Sequence, residues 1–347
     1  MSTVIHVRTT ARRRTMGRVR AWMRLVTVPC ALAVATSGVS LLLASRDAAS
    51  QASPDRTIRL VVSVPAGSAG DVMARVVANA LAPELGQPVI VDNRAGADGI
   101  IAVRQVAAAP PDGQTLLFGF GSQFAINPVL YASLPYDAKR DLVPVTLVAH
   151  QVAAIAVDQA LPVASVRALV DYSRSHPDTV NYGTSTSTFM LMAESFKQQT
   201  GADMLHVPFS GSPQMLTALL SGAIQVAFTT VQGLSPQLKS GKFRVLAVSG
   251  AARVPQLPDV PTFSEVGLLD DVPVWTAVFA PAGTPASTVG ALNKAIVNVL
   301  RQPSVREQFE ATAQTVVGST PGELADVVSR DLVRMDAVVK RSGLPKR

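Results

Sequence analysis

Short β-branched runs alternate along this chain with windows in which apolar residues recur every three or four positions. The run Ile58-Arg59-Leu60-Val61-Val62-Ser63-Val64 reads as a strand, and Val72-Met73-Ala74-Arg75-Val76-Val77-Ala78 behind it as part of a helix. On the same grounds strands are predicted at 58–64, 89–92, 115–119, 145–157, 180–183, 204–207, 224–229, 244–248 and 276–280. Helices are predicted at 71–85, 100–109, 165–175, 189–200, 213–221, 234–240, 285–300, 303–313 and 321–341. Punctuation agrees: Pro110-Pro111-Asp112-Gly113 and Asn127-Pro128 mark turns, Pro285 opens a helix, and Gly201 and Gly241 stand where helices end. Alternation of this kind implies an α/β class, with mainly parallel sheets flanked by helices on both faces.

The 295 residues after position 52 exceed the ~100–200 of a usual domain, so two lobes are expected. The 145–157 run is long enough to cross between them, with Val274-Trp275-Thr276-Ala277-Val278-Phe279-Ala280 as the return. The chain then divides into a leader at 1–52, one lobe from 53–150 and 274–347, and a second lobe at 151–273. The leader is Arg-rich at its start, apolar from Leu25 to Leu43 apart from Pro29, and closes in small residues. This is the layout of an export signal peptide cleaved near Ala52 to release a periplasmic product. An uncleaved anchor is the bland alternative, because the apolar stretch approaches the ~20 residues that span a bilayer.

The leader also changes what the net charge of +7 means. Eight arginines and one acid, Asp47, precede position 53, so the remaining 23 basic and 23 acidic residues balance. No basic footprint for nucleic acid survives in the folded part. Cys30, the only cysteine, lies in the leader, which removes thiol catalysis, disulfides and cysteine metal sites from the processed chain.

The loop Val64-Pro65-Ala66-Gly67-Ser68-Ala69-Gly70-Asp71 joins the first strand to the first helix. Its small residues let an anion approach the unpaired amides of a helix start, which makes Ala66, Gly67, Ser68, Ala69 and Gly70 candidate ligand contacts. Asp71 reads as a cap of its own helix, since a carboxylate repels an anionic ligand. A plain turn that binds nothing is the ordinary alternative for such a loop. Ser122 and the pair Thr229-Thr230 stand at the carboxyl ends of strands, where α/β sheets gather their ligands. No serine stands in Gly-x-Ser-x-Gly, and the histidines beyond the leader, His150, His176 and His206, adjoin no Ser-Asp arrangement. No catalytic residue, metal site or cofactor is therefore assigned.

Further motifs, each weak alone, follow in order. They are Leu85-Gly86-Gln87-Pro88-Val89, Asp92-Asn93-Arg94-Ala95-Gly96-Ala97, Ile126-Asn127-Pro128-Val129-Leu130-Tyr131, Leu134-Pro135-Tyr136-Asp137, His206-Val207-Pro208-Phe209, Leu257-Pro258-Asp259-Val260-Pro261-Thr262 and Ala280-Pro281-Ala282-Gly283-Thr284-Pro285. With the first loop, they make the chain from Arg56 onward resemble the Bug family, the periplasmic solute-binding receptors of tripartite tricarboxylate transporters. The resemblance implies a type II periplasmic binding protein. Such a two-lobed flytrap, expected here as a monomer, closes on a small organic acid and passes it to membrane permease subunits.

It also implies a second ligand loop, Gly183-Thr184-Ser185-Thr186-Ser187-Thr188. Its hydroxyls and amides at a helix start match the first loop on physical grounds. The chain departs from the family with Ser68 for a usual Gly, Gly70 for a frequent Thr, a second loop about two residues shorter, Met190 for a common His, Ser210 for Lys or Arg, and Thr229-Thr230 for an Asp. Charged side chains give way to hydroxyls, which favours a monocarboxylate or aromatic acid over an amino acid. Two other functions stay open: a sensory or regulatory binding protein without a transporter, and a hydrolase on the same scaffold. The leader and the lack of a helix-turn-helix oppose the first; the second needs an acid-base pair that the hydroxyl loops do not supply.

Overall fold

A computed structural model describes residues 57–269 and 272–346; the expected leader and its cleavage point near Ala52 lie outside the described residues. The strands are β1 (Ile58–Val62), β2 (Val89–Asn93), β3 (Thr115–Phe120), β4 (Leu142–Gln151), β5 (Ala153–Asp158), β6 (Asn181–Thr184), β7 (Leu205–Pro208), β8 (Val226–Thr230), β9 (Phe243–Val248), β10 (Trp275–Pro281) and β11 (Gln314–Val316). The helices longer than one or two turns are α1 (Ala69–Leu85), α2 (Ile100–Ala107), α3 (Val166–Ser175), α4 (Ser187–Thr200), α5 (Ser212–Leu220), α6 (Ala286–Arg301), α7 (Pro303–Glu310) and α8 (Pro321–Ser342). One lobe holds a six-stranded sheet in the order β11-β4-β10-β3-β1-β2, the other a five-stranded sheet in the order β7-β6-β8-β5-β9.

The two-lobed α/β class is as expected, but the sheets are mixed rather than mainly parallel. β1 is parallel to β2 and β3, and β6 to β7 and β8. β10 is antiparallel to β3 and β4, β11 to β4, and β5 to β8 and β9. β4, β5 and β10 are the strands that carry the chain between sheets. With no helical crossover to bring them back in the same direction, they enter antiparallel.

The run predicted at 145–157 is two strands that part at Val152, where the chain leaves one sheet for the other. Gln151 N–H donates to Val274 O at 2.8 Å, so the outgoing and returning crossings are tied together. The helix predicted at 303–313 stops at Glu310. Ala313 then takes a left-handed φ of 58° and the chain continues as β11, a strand the sequence pattern does not announce. The helix predicted at 234–240 is a single turn, Val231–Leu234, followed by a tighter turn at Ser235–Gln237. Pro236 has no N–H to continue it.

β1 shows how one strand feeds two layers. Ile58, Leu60 and Val62 pack with Met73, Val77 and Leu81 of α1 and Ile296 of α6, while Val61 faces the layer of Val103 and Val106 from α2. In the second lobe Ile155 and Phe228 pack with Leu169 of α3 and Leu191 and Phe196 of α4; Ala154 and Ala227 pack with Met215 and Leu219 of α5. Each such large side chain contributes about 1.5–3 kcal/mol by leaving water. α8 opens with a capping box between Thr320 and Glu323. It gives Leu324 and Val328 to the first core and Met335, Val338 and Val339 to the second, which joins the lobes behind the cleft.

Candidate functional site

After β1 the chain turns so that Ser68 N–H donates to Pro65 O at 3.2 Å, and α1 begins. Ser68 is the N-cap, its Oγ accepting from Asp71 N at 3.4 Å. Asp71 accepts from Gly67 N (2.9 Å), Asn93 Nδ2 (2.8 Å) and Arg75 Nε (3.0 Å). Burial pushes the Asp71 carboxyl up; the bonds from Arg75, Gly67 and Asn93 outweigh it and hold the group below the usual carboxylate range. Asp71 thus fastens the loop from beneath, and among the described residues the amides of Ala69 and Gly70 find no backbone acceptor. Gly70 lets the Phe120 ring pack directly against the helix start. A Cβ there would lie 2.4 Å from Phe120 Cζ.

α4 begins differently. Thr186 holds the N-cap position with φ −151° and ψ 162°, but its side chain makes no capping bond. Its Oγ1 is buried and has no hydrogen-bond partner. A third helix start, at α5, has Gly211 as its N-cap with no side-chain bond and brings Ser212 to the same place.

These tips surround a cavity of about 60 Å³, several times the ~10–15 Å³ that one water needs. Nine expected contacts meet in its wall: Ser68, Ala69, Gly70, Ser122, Ser185, Thr186, Thr188, Thr229 and Thr230. Val64, Phe120, Phe189, Pro273, Val274 and Trp275 supply apolar surface, and Gln151 an amide. Among the described residues, no ionisable side chain lines this wall. Each helix tip carries roughly half a positive charge, so opposed tips can offset one anionic charge without an arginine.

Four expected contacts lie elsewhere. Ala66 and Gly67 are exposed, Gly67 on the edge of a neighbouring cleft. Thr184 Oγ1 is paired with His206 Nε2 at 2.7 Å, and Ser187 Oγ donates to Asn127 Oδ1 at 2.9 Å. Arg94, in the Asp92-Asn93-Arg94-Ala95-Gly96-Ala97 motif, is paired with Asp92 at 2.9 Å.

Sequence reasoning misses Gln151 and Ser212; Trp275, on the expected return crossing, also lines the cavity. Ser212 could have been found, because Gly211-Ser212-Pro213 repeats the small-residue helix start of the other loops. Gln151 carries no such signal, since only the crossing at Val152 turns it inward. Its Nε2 donates to Gln232 Oε1 at 3.3 Å and to Gln314 Oε1 at 3.2 Å. Gln232 Nε2 in turn donates to Ala69 O at 2.8 Å, across the cleft. Trp275 is fixed from behind by Asp331 of α8, whose Oδ2 accepts from its Nε1 at 2.8 Å.

Fold and cleft together define a two-lobed solute-binding protein. The family model for the tripartite tricarboxylate transporter family receptor matches residues 73–344. The chain is 34% identical over 294 residues to Protein BugT of Bordetella pertussis, covering 84% of this chain and 90% of that protein. The solved structure of R. palustris Rpa4515 with adipate is similar at TM-score 0.81 and 33% identity, covering 84% of this chain and 98% of that one. MatC (Rpa3494) from Rhodopseudomonas palustris with bound malate is similar at TM-score 0.77 and 31% identity, covering 83% and 100%. The chain belongs to the Bug family of tripartite tricarboxylate transporter receptors, as its motifs indicate.

Proposed function

We propose that this protein is a periplasmic receptor that captures a small organic acid between its lobes, divided at 53–150 plus 274–347 and at 151–273, for membrane permease subunits. The observation that carries the proposal is the uncharged cavity between two helix starts, one left uncapped with the buried Thr186 hydroxyl unpartnered. A buried hydroxyl without a partner costs about 1–3 kcal/mol, which a bound acceptor recovers. The relatives that hold adipate and malate support the ligand class. A receptor is favoured over a hydrolase because, among the described residues, no acid or base side chain lines the cavity beside Ser122 or Ser68. The protein acts without cofactor or metal, as a monomer, after its leader is removed.

The test is a thermal-shift and fluorescence panel of small acids against their neutral amides. Trp275 is the sole tryptophan after residue 52 and lines the cavity, so its emission reads occupancy. An acid at ~100 times its Kd adds about 2.7 kcal/mol of stability, while its amide adds far less. Equal response to acids and amides, or to none, refutes the carboxylate reading; turnover of a panel member refutes the receptor.

A further inference from the structure

A second cavity, of about 350 Å³, adjoins the first and shares Val64, Phe120, Ser122, Ser185 and Thr186 as a common wall. Its remaining lining comes from Ser63, the loop Gly96-Ala97-Asp98-Gly99, Gln123, and Pro208-Phe209-Ser210. Phe120 and Phe209 give it apolar sides, and among the described residues Asp98 is the one ionisable side chain in its wall. The backbone beneath Asp98 is held in an unusual form: Ala97 and Asp98 both adopt left-handed φ, 48° and 50°, where side chains other than glycine are disfavoured. Tyr131 Oη donates to Asp98 Oδ2 at 2.7 Å and Asn127 Nδ2 to Asp98 O at 3.0 Å, which fixes the loop in that form. Asp is among the residues that tolerate this form, so the strain falls on Ala97, and holding it there keeps the Asp98 loop at the cavity wall.

We infer that the ligand is bifunctional: its carboxylate sits between the helix tips, its carbon chain passes Phe120 and Phe209, and a hydrogen-bond donor at its far end, a hydroxyl or an ammonium, meets the Asp98 carboxylate. This rests on the carboxylate reading of the first cavity and adds the chemistry of the other end. A carboxylate has about four acceptor positions on its two oxygens, so protein partners such as Tyr131 do not exclude a ligand donor beside them. A second carboxylate on the ligand would instead meet like charge across apolar walls, which disfavours dicarboxylates. A plain monoacid would leave the Asp98 site unused. The sequence favours a monoacid because Thr229-Thr230 carry no charge, and nothing in it sets Asp98 beside the helix tips.

The test measures calorimetric affinities of the purified protein and its D98N variant. The probes are γ-aminobutyrate, ε-aminocaproate and their hydroxy counterparts, against butyrate, hexanoate, succinate and adipate. Asp98→Asn keeps an oxygen for Tyr131 and tolerates left-handed φ, so the loop stays in place. The donor-ended acids are expected to bind about tenfold or more tighter than the chain-matched monoacids and dicarboxylates, the ratio of one charge-assisted hydrogen bond. In D98N that advantage shrinks severalfold while the monoacids are unchanged. If acids bind but rank the same in both proteins, or the dicarboxylates lead, the Asp98 assignment is overturned with the first cavity intact. If no acid binds either protein, the carboxylate reading itself falls.

Discussion

The starts of α1 and α4 face one cavity and are finished in opposite ways. At α1, Ser68 caps the helix and Asp71 gathers Gly67, Arg75 and Asn93, so the loop is complete before any ligand arrives. At α4, Thr186 occupies the cap position and does not cap, and its hydroxyl is buried without a partner. One lobe therefore offers a preformed platform and the other an unfinished tip. Preorganisation of this kind lowers the ordering cost of binding, while the open tip gives a reason for the lobes to close.

The comparison is broken most severely by Gly70→Val. The new side chain must displace Phe120, and overpacking costs about 1–3 kcal/mol of stability. Acid binding, measured by calorimetry, is expected to disappear because the α1 amides move off the cavity. Asp71→Ala should act next, on stability more than on binding, since it strands the donors of Gly67 and Asn93 at a cost of about 1–3 kcal/mol. Its pH signature is definite. Because the folded carboxyl is held below its ordinary value, its contribution is complete above the unfolded value near ~3.9 and is lost as pH falls through the folded value. Urea melts at neutral and acid pH should therefore show the acid limb flattened in D71A.

Thr186→Val separates the two tips cleanly. The shape is kept and an unpartnered hydroxyl removed, so the free protein melts at the same or a higher temperature, while acid affinity falls about tenfold. A T186V protein that loses stability but binds normally would reverse the assignment of the unfinished tip. The smallest effect is expected from Gln232→Leu, which removes the bond to Ala69 O across the cleft. Affinity should drop severalfold with the on-rate little changed, read by stopped-flow Trp275 fluorescence.

Most of this fold is legible in the sequence because its signals are local. Strand β1, the small-residue loop and α1 fall in one continuous run, and Ser185, Thr186 and Thr188 sit in another. What escapes is whatever depends on two distant segments meeting. β11 is three residues long and follows a left-handed Ala313, too short to show a period. Gln151 and Trp275 enter the cavity because two crossings are hydrogen-bonded side by side, a property of neither segment alone. The hydroxyls of Thr184 and Ser187 are engaged for a related reason: each meets a neighbour, His206 or Asn127, that the motif does not contain.

The most direct measurement is a crystal structure of the protein with the tightest acid of the panel. One carboxylate is predicted between the starts of α1 and α4, within hydrogen-bond reach of the Ala69 or Gly70 amide and of Thr186 Oγ1, with no cation beside it. A carboxylate gripped by an arginine, a lysine or a metal ion, or seated away from Thr186, would contradict the neutral cradle.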